Sequence, residues 1–218
     1  MVGMSYEFDK NEYVLFQGDS ITDTGRSYLV RTSLGEGYPA FVAKRLCELL
    51  PEYNLQFINK GVSGNRISDL KRRFHRDCLG LHPFPSIVSI FIGINDTWRI
   101  FDMGLSSPVP RYEEIYRELL DRIKEKSAFT RLILLSPFVL EDSEDKQDWR
   151  EDVNARREAV KRVAEDYNAR LVDVQSLFDN AMQETGNGPL FYTVDGVHPT
   201  PEGHALIAEH WIYAFQSK

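Results

Sequence analysis

Tyr13-Val14-Leu15-Phe16-Gln17-Gly18-Asp19-Ser20 opens as an unbroken apolar run, halts at Gln17-Gly18, and delivers an acid and a hydroxyl. Four consecutive apolar residues leave no polar face, so a strand made of them suits burial on both sides within a parallel sheet. Residues 55–58, 87–92, 132–135 and 171–174 repeat the pattern, short and rich in Val, Ile, Leu and Phe.

Between these runs the apolar period lengthens to that of a helix. Tyr38, Phe41, Val42, Leu46, Leu49 and Leu50 share one face, with Pro51 as the stop. Ile67, Leu70, Phe74 and Cys78 form a second stripe, and Tyr112, Ile115, Leu119 and Ile123 a third. Val153, Val160, Ala164 and Tyr167 form a fourth, and residues 202–215 a fifth. Each stripe needs no role beyond core packing. Strand–helix alternation with right-handed crossovers builds an α/β fold, a three-layer α/β/α sandwich around a central, mostly parallel sheet. Neither a repeat nor a low-complexity linker divides residues 1–218, which read as one domain. The acidic stretch 141–152 interrupts the alternation and reads as a solvated loop, with a mobile flap as the alternative.

The formal net charge of -7 argues against a polyanion such as nucleic acid as partner. Residues 1–12 carry Glu7, Asp9, Lys10 and Glu12 and lack the apolar run of a secretory leader. No window reaches the roughly 20 apolar residues of a membrane span. Cys47 and Cys78 both fall in helical patterns and read as free thiols of a reduced cytoplasm, and no Cys/His spacing suits zinc.

In such folds the site lies beyond the carboxyl ends of the strands. Distinctive polar residues occur there: Gly18-Asp19-Ser20, Asn59-Lys60-Gly61-Val62-Ser63-Gly64-Asn65 and Gly93-Ile94-Asn95-Asp96 follow the first three runs, and Asp195-Gly196-Val197-His198-Pro199 precedes the final helical segment. A serine hydroxyl is a poor nucleophile without an adjacent base. Ser20 taken alone reads as a helix cap; a base elsewhere in the chain changes that reading. Of the five histidines, His75, His204 and His210 fall in helical patterns and suit surface or packing roles, and His82 lies in a Pro-flanked loop. Only His198 has an aspartate three residues earlier, across a Gly-Val turn that can return Asp195 to its ring.

Four blocks in this order, spanning residues 18–198, resemble the SGNH (GDSL-type) hydrolases, and their wording is similar to the intracellular xylan and xylo-oligosaccharide acetylesterase branch. The resemblance implies a flavodoxin-like fold, no metal or organic cofactor, and a serine esterase acting on short acyl groups of a carbohydrate ester. It implies Ser20 as nucleophile, His198 as base and Asp195 as its partner. The oxyanion donors it implies are the backbone N–H groups of Ser20 and Gly64 and the side-chain amide of Asn95. Asp19 is expected to hold the nucleophile turn and Asp96 to brace its loop. Trp98 and Arg99 either wall the pocket or bind sugar hydroxyls, Trp98 packed at a loop base being the equal alternative. Arg26 and Arg66 read either as salt-bridged scaffold or as entrance residues. Related enzymes suggest a homo-oligomer.

Neither an exposed apolar lid nor an amphipathic membrane helix is evident, which favours a small acyl group. A thioesterase or lysophospholipase could run the same chemistry with another pocket. From other classes, the hydroxyl-rich stretch 20–25 resembles a flavodoxin phosphate loop that would bind FMN, and a catalytically silent sugar-binding module is a third reading.

Overall fold

The computed structural model describes residues 6–141 and 144–216. In chain order the elements are β1 (Tyr13–Gly18), α1 (Ser20–Asp23), α2 (Tyr38–Leu49), β2 (Gln56–Gly61), α3 (Ile67–Phe74), β3 (Ile87–Phe91), α4 (Ile94–Met103), α5 (Val109–Lys126) and β4 (Arg131–Leu135). There follow α6 (Glu144–Gln147), α7 (Arg150–Asp166), β5 (Arg170–Val172), α8 (Val174–Thr185), α9 (Pro189–Tyr192) and α10 (Pro201–Tyr213). Every apolar run identified in the sequence contributes a strand.

The five strands form one sheet in the order β2-β1-β3-β4-β5, and all four pairings are parallel. Side chains alternate between its faces. Val14, Phe16, Ile87, Phe91, Ile133 and Leu135 pack with Tyr38 and Val42 of α2, Phe178 of α8 and Trp211 of α10. Leu15, Val88, Ile90, Leu132 and Leu134 pack on the opposite face with Leu70 of α3, Leu119 of α5 and Val160 of α7. The three-layer sandwich is therefore present, with both faces of the sheet closed by helices. Because β2 lies on one side of β1 and β3 on the other, the chain reverses its direction of travel across the sheet at the β1/β3 boundary. Crevices at such a switch point, beyond the carboxyl ends of the strands, are where ligands bind in open α/β sheets.

Local departures have identifiable causes. β1 continues through Gln17 because its buried amide finds partners in the Asp77 carbonyl and the Arg73 guanidinium. β2 is displaced toward Gly61 because buried Asn59 is satisfied by the carbonyls of Thr22 and Leu34 and by the Gly61 N–H. α4 and α8 have no counterpart among the helical stripes; α8 is started by Asp173, whose carboxylate caps the Ser176 N–H. Of the acidic 141–152 stretch, residues 142 and 143 lie outside the described residues, and much of the remainder is helical, in α6 and the first turn of α7. Cys78 is buried in a single π-type turn after α3 and Cys47 is exposed on α2; both are free thiols.

Candidate active site

Ser20 is the first residue of α1, directly after the strand end, and Asp19 caps that turn by accepting the Ile21 N–H at 3.1 Å. The turn can sit so close to β3 only because residue 18 is glycine. A Cβ there would lie 2.1 Å from Thr22 Oγ1 and 2.4 Å from the Phe91 carbonyl oxygen.

His198 arrives from the other end of the chain. Its Nε2 lies 2.9 Å from Ser20 Oγ, across 178 residues of sequence, and its Nδ1 lies 2.7 Å from Asp195 Oδ2. Asp195 Oδ1 meanwhile accepts the backbone N–H groups of Val197 at 3.0 Å and His198 at 2.7 Å. The turn itself is anchored to the segment that follows β4 by Leu140 N–H, which donates to the Gly196 carbonyl at 2.8 Å.

The charges reinforce this geometry. The Asp195 hydrogen bond lifts the His198 imidazole above its ordinary 6.5 against the opposing effect of burial. Burial would raise Asp195, but the hydrogen bonds from the His198 ring and backbone win and hold it well below the carboxylate range. An ionised Asp195 keeps the ring proton on Nδ1 and leaves Nε2 free to accept the serine proton. His204, by contrast, is pushed down to about 4 by burial. It accepts the Tyr38 N–H at Nδ1 and is a neutral packing residue, as its helical position suggested.

Asn95 reaches the loop that carries Gly64, whose neighbour Ser63 lines the cavity at Ser20. Asn95 lies in the first turn of α4, not in a loop, and its Nδ2 donates to the Asn65 carbonyl at 3.1 Å. A carboxamide nitrogen has two hydrogens, so this bond orients the second while leaving it unused. Gly64 has φ +78°, and a Cβ there would meet nothing within 4 Å. Its N–H has no protein acceptor among the described residues. Ser20 N–H, at the start of α1, has no intrahelical acceptor either.

The remaining candidates divide. Asp96 is buried and accepts Ile67 N–H at 2.9 Å and Ser107 Oγ–H at 2.8 Å, so it braces the start of α3 against the segment after α4. Trp98 stands 5.8 Å from the His198 ring, centroid to centroid, and packs on Trp149 at 5.1 Å. Arg99 pairs with Asp102 on its own helix and is not among the residues lining the cavity at Ser20. That cavity, of about 460 Å³, is bounded by Ser20, His198, Asp23, Arg26, Tyr28 and His204 among others. Arg26 is thus both scaffold and wall, paired with Asp23 at 3.5 Å, while Arg66 pairs with Asp69 at the start of α3.

Two arginines that the sequence analysis passed over hold the site together. Arg73 on α3 donates to the carbonyls of Gly18 and Lys60 and to Asn65 Oδ1, tying together the ends of β1 and β2 and the loop that carries Gly64. Arg156 on α7 is fully buried and joins Asp152, Thr97 and the Ser107 carbonyl. A short-range signal exists only for their helical partners, Asp77 and Asp152, each four residues away. The hydroxyls of the 20–25 stretch are likewise spoken for: Thr22 faces the Tyr38 phenol and Thr24 bonds the Ser20 and Ile21 carbonyls. Among the described residues no cluster of three or more His, Cys, Asp or Glu is placed to hold a metal ion, and no helix is long and apolar enough to cross a membrane.

A parallel five-stranded sandwich with an imidazole-paired serine after its first strand is the setting of a known class of hydrolases, and comparison with other proteins gives the same answer. The model of the GDSL-like lipase/acylhydrolase family matches residues 16–206. An acetylxylan esterase of Geobacillus stearothermophilus is 34% identical over 209 residues, 92% of each chain. Its crystal structure superposes with a TM-score of 0.86 at 33% identity, covering 96% of both chains. An alpha/beta hydrolase enzyme from the metagenome of Lake Arreo, Spain, superposes with a TM-score of 0.87 at 33% identity, over 97% of this chain and 98% of its own.

The chain belongs to the GDSL-like lipase/acylhydrolase family and is a carboxylic ester hydrolase. The homology supports acetyl esters as the bonds it cleaves. An electron-transfer module and a silent binding module are thereby set aside.

Proposed function

We propose that Ser20, His198 and Asp195 form the catalytic triad of a deacetylase acting on acetylated sugars or oligosaccharides. The observation that carries the reading is the continuous chain from Ser20 Oγ to His198 Nε2 at 2.9 Å and from His198 Nδ1 to Asp195 Oδ2 at 2.7 Å. Catalytic mutants of the Geobacillus esterase replace a serine, an aspartate and a histidine, the latter two three positions apart, which is the spacing of Asp195 and His198. The sugar assignment rests on that relative's description as an acetylxylan esterase.

In the first step Ser20 Oγ attacks the ester carbonyl carbon while His198 Nε2 takes its proton, and the carbonyl π pair moves onto oxygen. That oxyanion rests on Ser20 N–H, Gly64 N–H and the free hydrogen of Asn95 Nδ2. Collapse of the intermediate breaks the bond to the sugar oxygen, which leaves with the proton held on Nε2. Water then attacks the acetyl-serine by the same route and restores the enzyme. Asp195 stays ionised throughout and stabilises the imidazolium. The two free thiols accord with a cytoplasmic site of action, and the homo-oligomer suggested by the resemblance is to be read by size-exclusion chromatography with light scattering.

The test is a panel of p-nitrophenyl esters of increasing chain length beside acetylated xylo-oligosaccharides, with Ser20→Ala as blank. Acetyl esters should be preferred and the blank inert. Turnover surviving in Ser20→Ala sinks the triad, whereas preference for long acyl chains or thioesters returns the lysophospholipase or thioesterase reading.

A further inference from the structure

Asp23 closes the short turn behind Ser20 and is only 7% exposed. Its Oδ2 accepts the backbone N–H of Ser63 at 3.0 Å and the Tyr28 hydroxyl at 2.5 Å, while Arg26 Nε faces Oδ1 at 3.5 Å. The Arg26 guanidinium continues to the Gly61 carbonyl at 2.6 Å and lies 4.2 Å from the centre of the Tyr28 ring. Two of these contacts, Ser63 N–H to Asp23 and Arg26 to the Gly61 carbonyl, cross from the nucleophile turn and the segment after it to the end of β2 and the loop that carries Gly64. The others brace Asp23, Arg26 and Tyr28 against one another.

The loop needs such a tether. Packing does not hold Gly64, since a Cβ there would touch nothing within 4 Å, and at φ +78° a glycine is free to take other conformations. Val62 N–H is tied to the Gly18 carbonyl at 3.1 Å and Asn65 N–H returns to the Val62 carbonyl at 3.2 Å. Between them only the Ser63 N–H reaches the nucleophile turn, and its acceptor is Asp23. The next amide along is Gly64, joined to that of Ser63 through one Cα. With the turn closed by Asn65 N–H on the Val62 carbonyl, the hold on Ser63 N–H therefore restricts where the Gly64 N–H points.

We infer that Asp23 is a positioning residue for the hydrolysis: by holding Ser63 N–H it aims the Gly64 N–H at the oxygen of the tetrahedral intermediate. The inference rests on the proposed oxyanion role of Gly64. Asp23 does not touch the reacting atoms, because Oδ2 is occupied and Oδ1 is buried against Arg26. Its effect belongs to the transition state, where a misaimed donor lowers kcat and leaves ground-state binding alone.

The experiment compares wild type with Asp23→Ala, Asp23→Asn, Asp23→Glu and Asn95→Ala on p-nitrophenyl acetate. Rates are expressed per active site labelled by a fluorophosphonate, and thermal melting is recorded in parallel. Asp23→Ala should lose about 10-fold or more in kcat with KM within about twofold, a fraction of the 10²–10³ that a deleted oxyanion donor costs. Asp23→Asn keeps an oxygen for Ser63 N–H and should recover most of that loss. Asp23→Glu keeps the charge but moves the oxygens by one methylene, so its kcat should fall; it also serves if Asp23→Ala does not fold. A merely structural role would lower the melting temperature and the labelled fraction while leaving kcat per labelled site at the wild-type value. That result in both Asp23→Ala and Asp23→Glu overturns the inference. If Asn95→Ala alone loses activity, only the inference about Asp23 falls. If Asn95→Ala also turns over at the wild-type rate, the oxyanion assignment itself falls.

Discussion

Asp195 grips His198 twice, through Oδ2 to the ring Nδ1 and through Oδ1 to the backbone N–H of the same residue, both at 2.7 Å. The carboxylate therefore cannot turn without losing one bond to gain another, and the imidazole is held in a single orientation toward Ser20.

Asp195→Asn should expose this dependence. The amide oxygen must stay on the side of the two backbone donors, Val197 and His198, which leaves NH2 facing Nδ1. Two donors cannot share a hydrogen bond, so Nδ1 gives up its proton and Nε2 becomes the protonated nitrogen, unable to accept from serine. A fall in kcat on the order of 10⁴, with KM little changed, is expected from steady-state kinetics. A loss below about tenfold would reduce the triad to a dyad.

The pH profile follows from the same pair. His198 is raised above 6.5 by its hydrogen bond to Asp195, and only the neutral ring accepts a proton. The kcat/KM value should therefore be lost as pH falls through that raised value, and the acid limb should move to lower pH when Asp195 is replaced by Ala. A limb that stays in place contradicts the assignment of His198 as base.

Asp19 makes an opposite contribution to stability. It is 1% exposed, its Oδ2 has no hydrogen-bond partner, and burial raises it from 3.8 to about 7. The folded state thus holds this proton more tightly than the unfolded chain, so stability falls as pH rises between these two values. Asp19→Asn removes the slope. Thermal melts at pH 8 should place the variant above wild type, by about 4 kcal/mol at most, with the gap closing toward pH 4.

Alanine at two glycines should have unlike consequences. Gly18→Ala forces a Cβ to 2.4 Å from the Phe91 carbonyl, a backbone atom of the sheet, and soluble folded protein should be lost or its melting point sharply lowered. Gly64→Ala meets no atom within 4 Å, so it should fold at a cost of about 1–2 kcal/mol for the left-handed backbone. Its kcat should fall as the loop relaxes. Circular dichroism melts and assays on the same preparations separate the two.

Asp152→Ala should destabilise by about 3–5 kcal/mol in urea titrations, since it strips a buried guanidinium of its carboxylate. Arg156 is wholly enclosed, and its other contacts are to uncharged groups, the Thr97 hydroxyl, the Ser107 carbonyl and the face of the Tyr112 ring. Thr97 precedes Trp98 on α4, so activity should decline with stability. An unchanged transition midpoint would show that the charge is satisfied elsewhere.

The strands, the layers and the order of the polar blocks were legible because hydrophobic periodicity is a local property: 13–16 and 132–135 declare themselves without reference to the rest of the chain. Asp195 and His198 were legible for a similar reason, lying three residues apart in one turn. α4 and α8 were not, because Gly93-Ile94-Asn95-Asp96 reads as turn chemistry and the 171–174 run obscured the start of α8 at Val174. Arg73 and Arg156 were passed over, and Asp23 drew no role within the 20–25 stretch, for beyond an i,i+4 carboxylate a charged residue destined for burial carries little mark of it in its own neighbourhood.

By itself, then, the amino-acid order determined the sandwich, which residue types would cluster beyond its strand ends, and the hydrolase family they belong to. Tertiary structure alone decided that Ser20 and His198, 178 positions apart, lie at 2.9 Å, and that Asp23 and Arg73 brace the loop carrying Gly64. The reason is physical. Strand and helix patterns follow from the backbone period of a few residues, whereas a buried charge or a catalytic hydrogen bond exists only when distant segments supply partners after the core has closed.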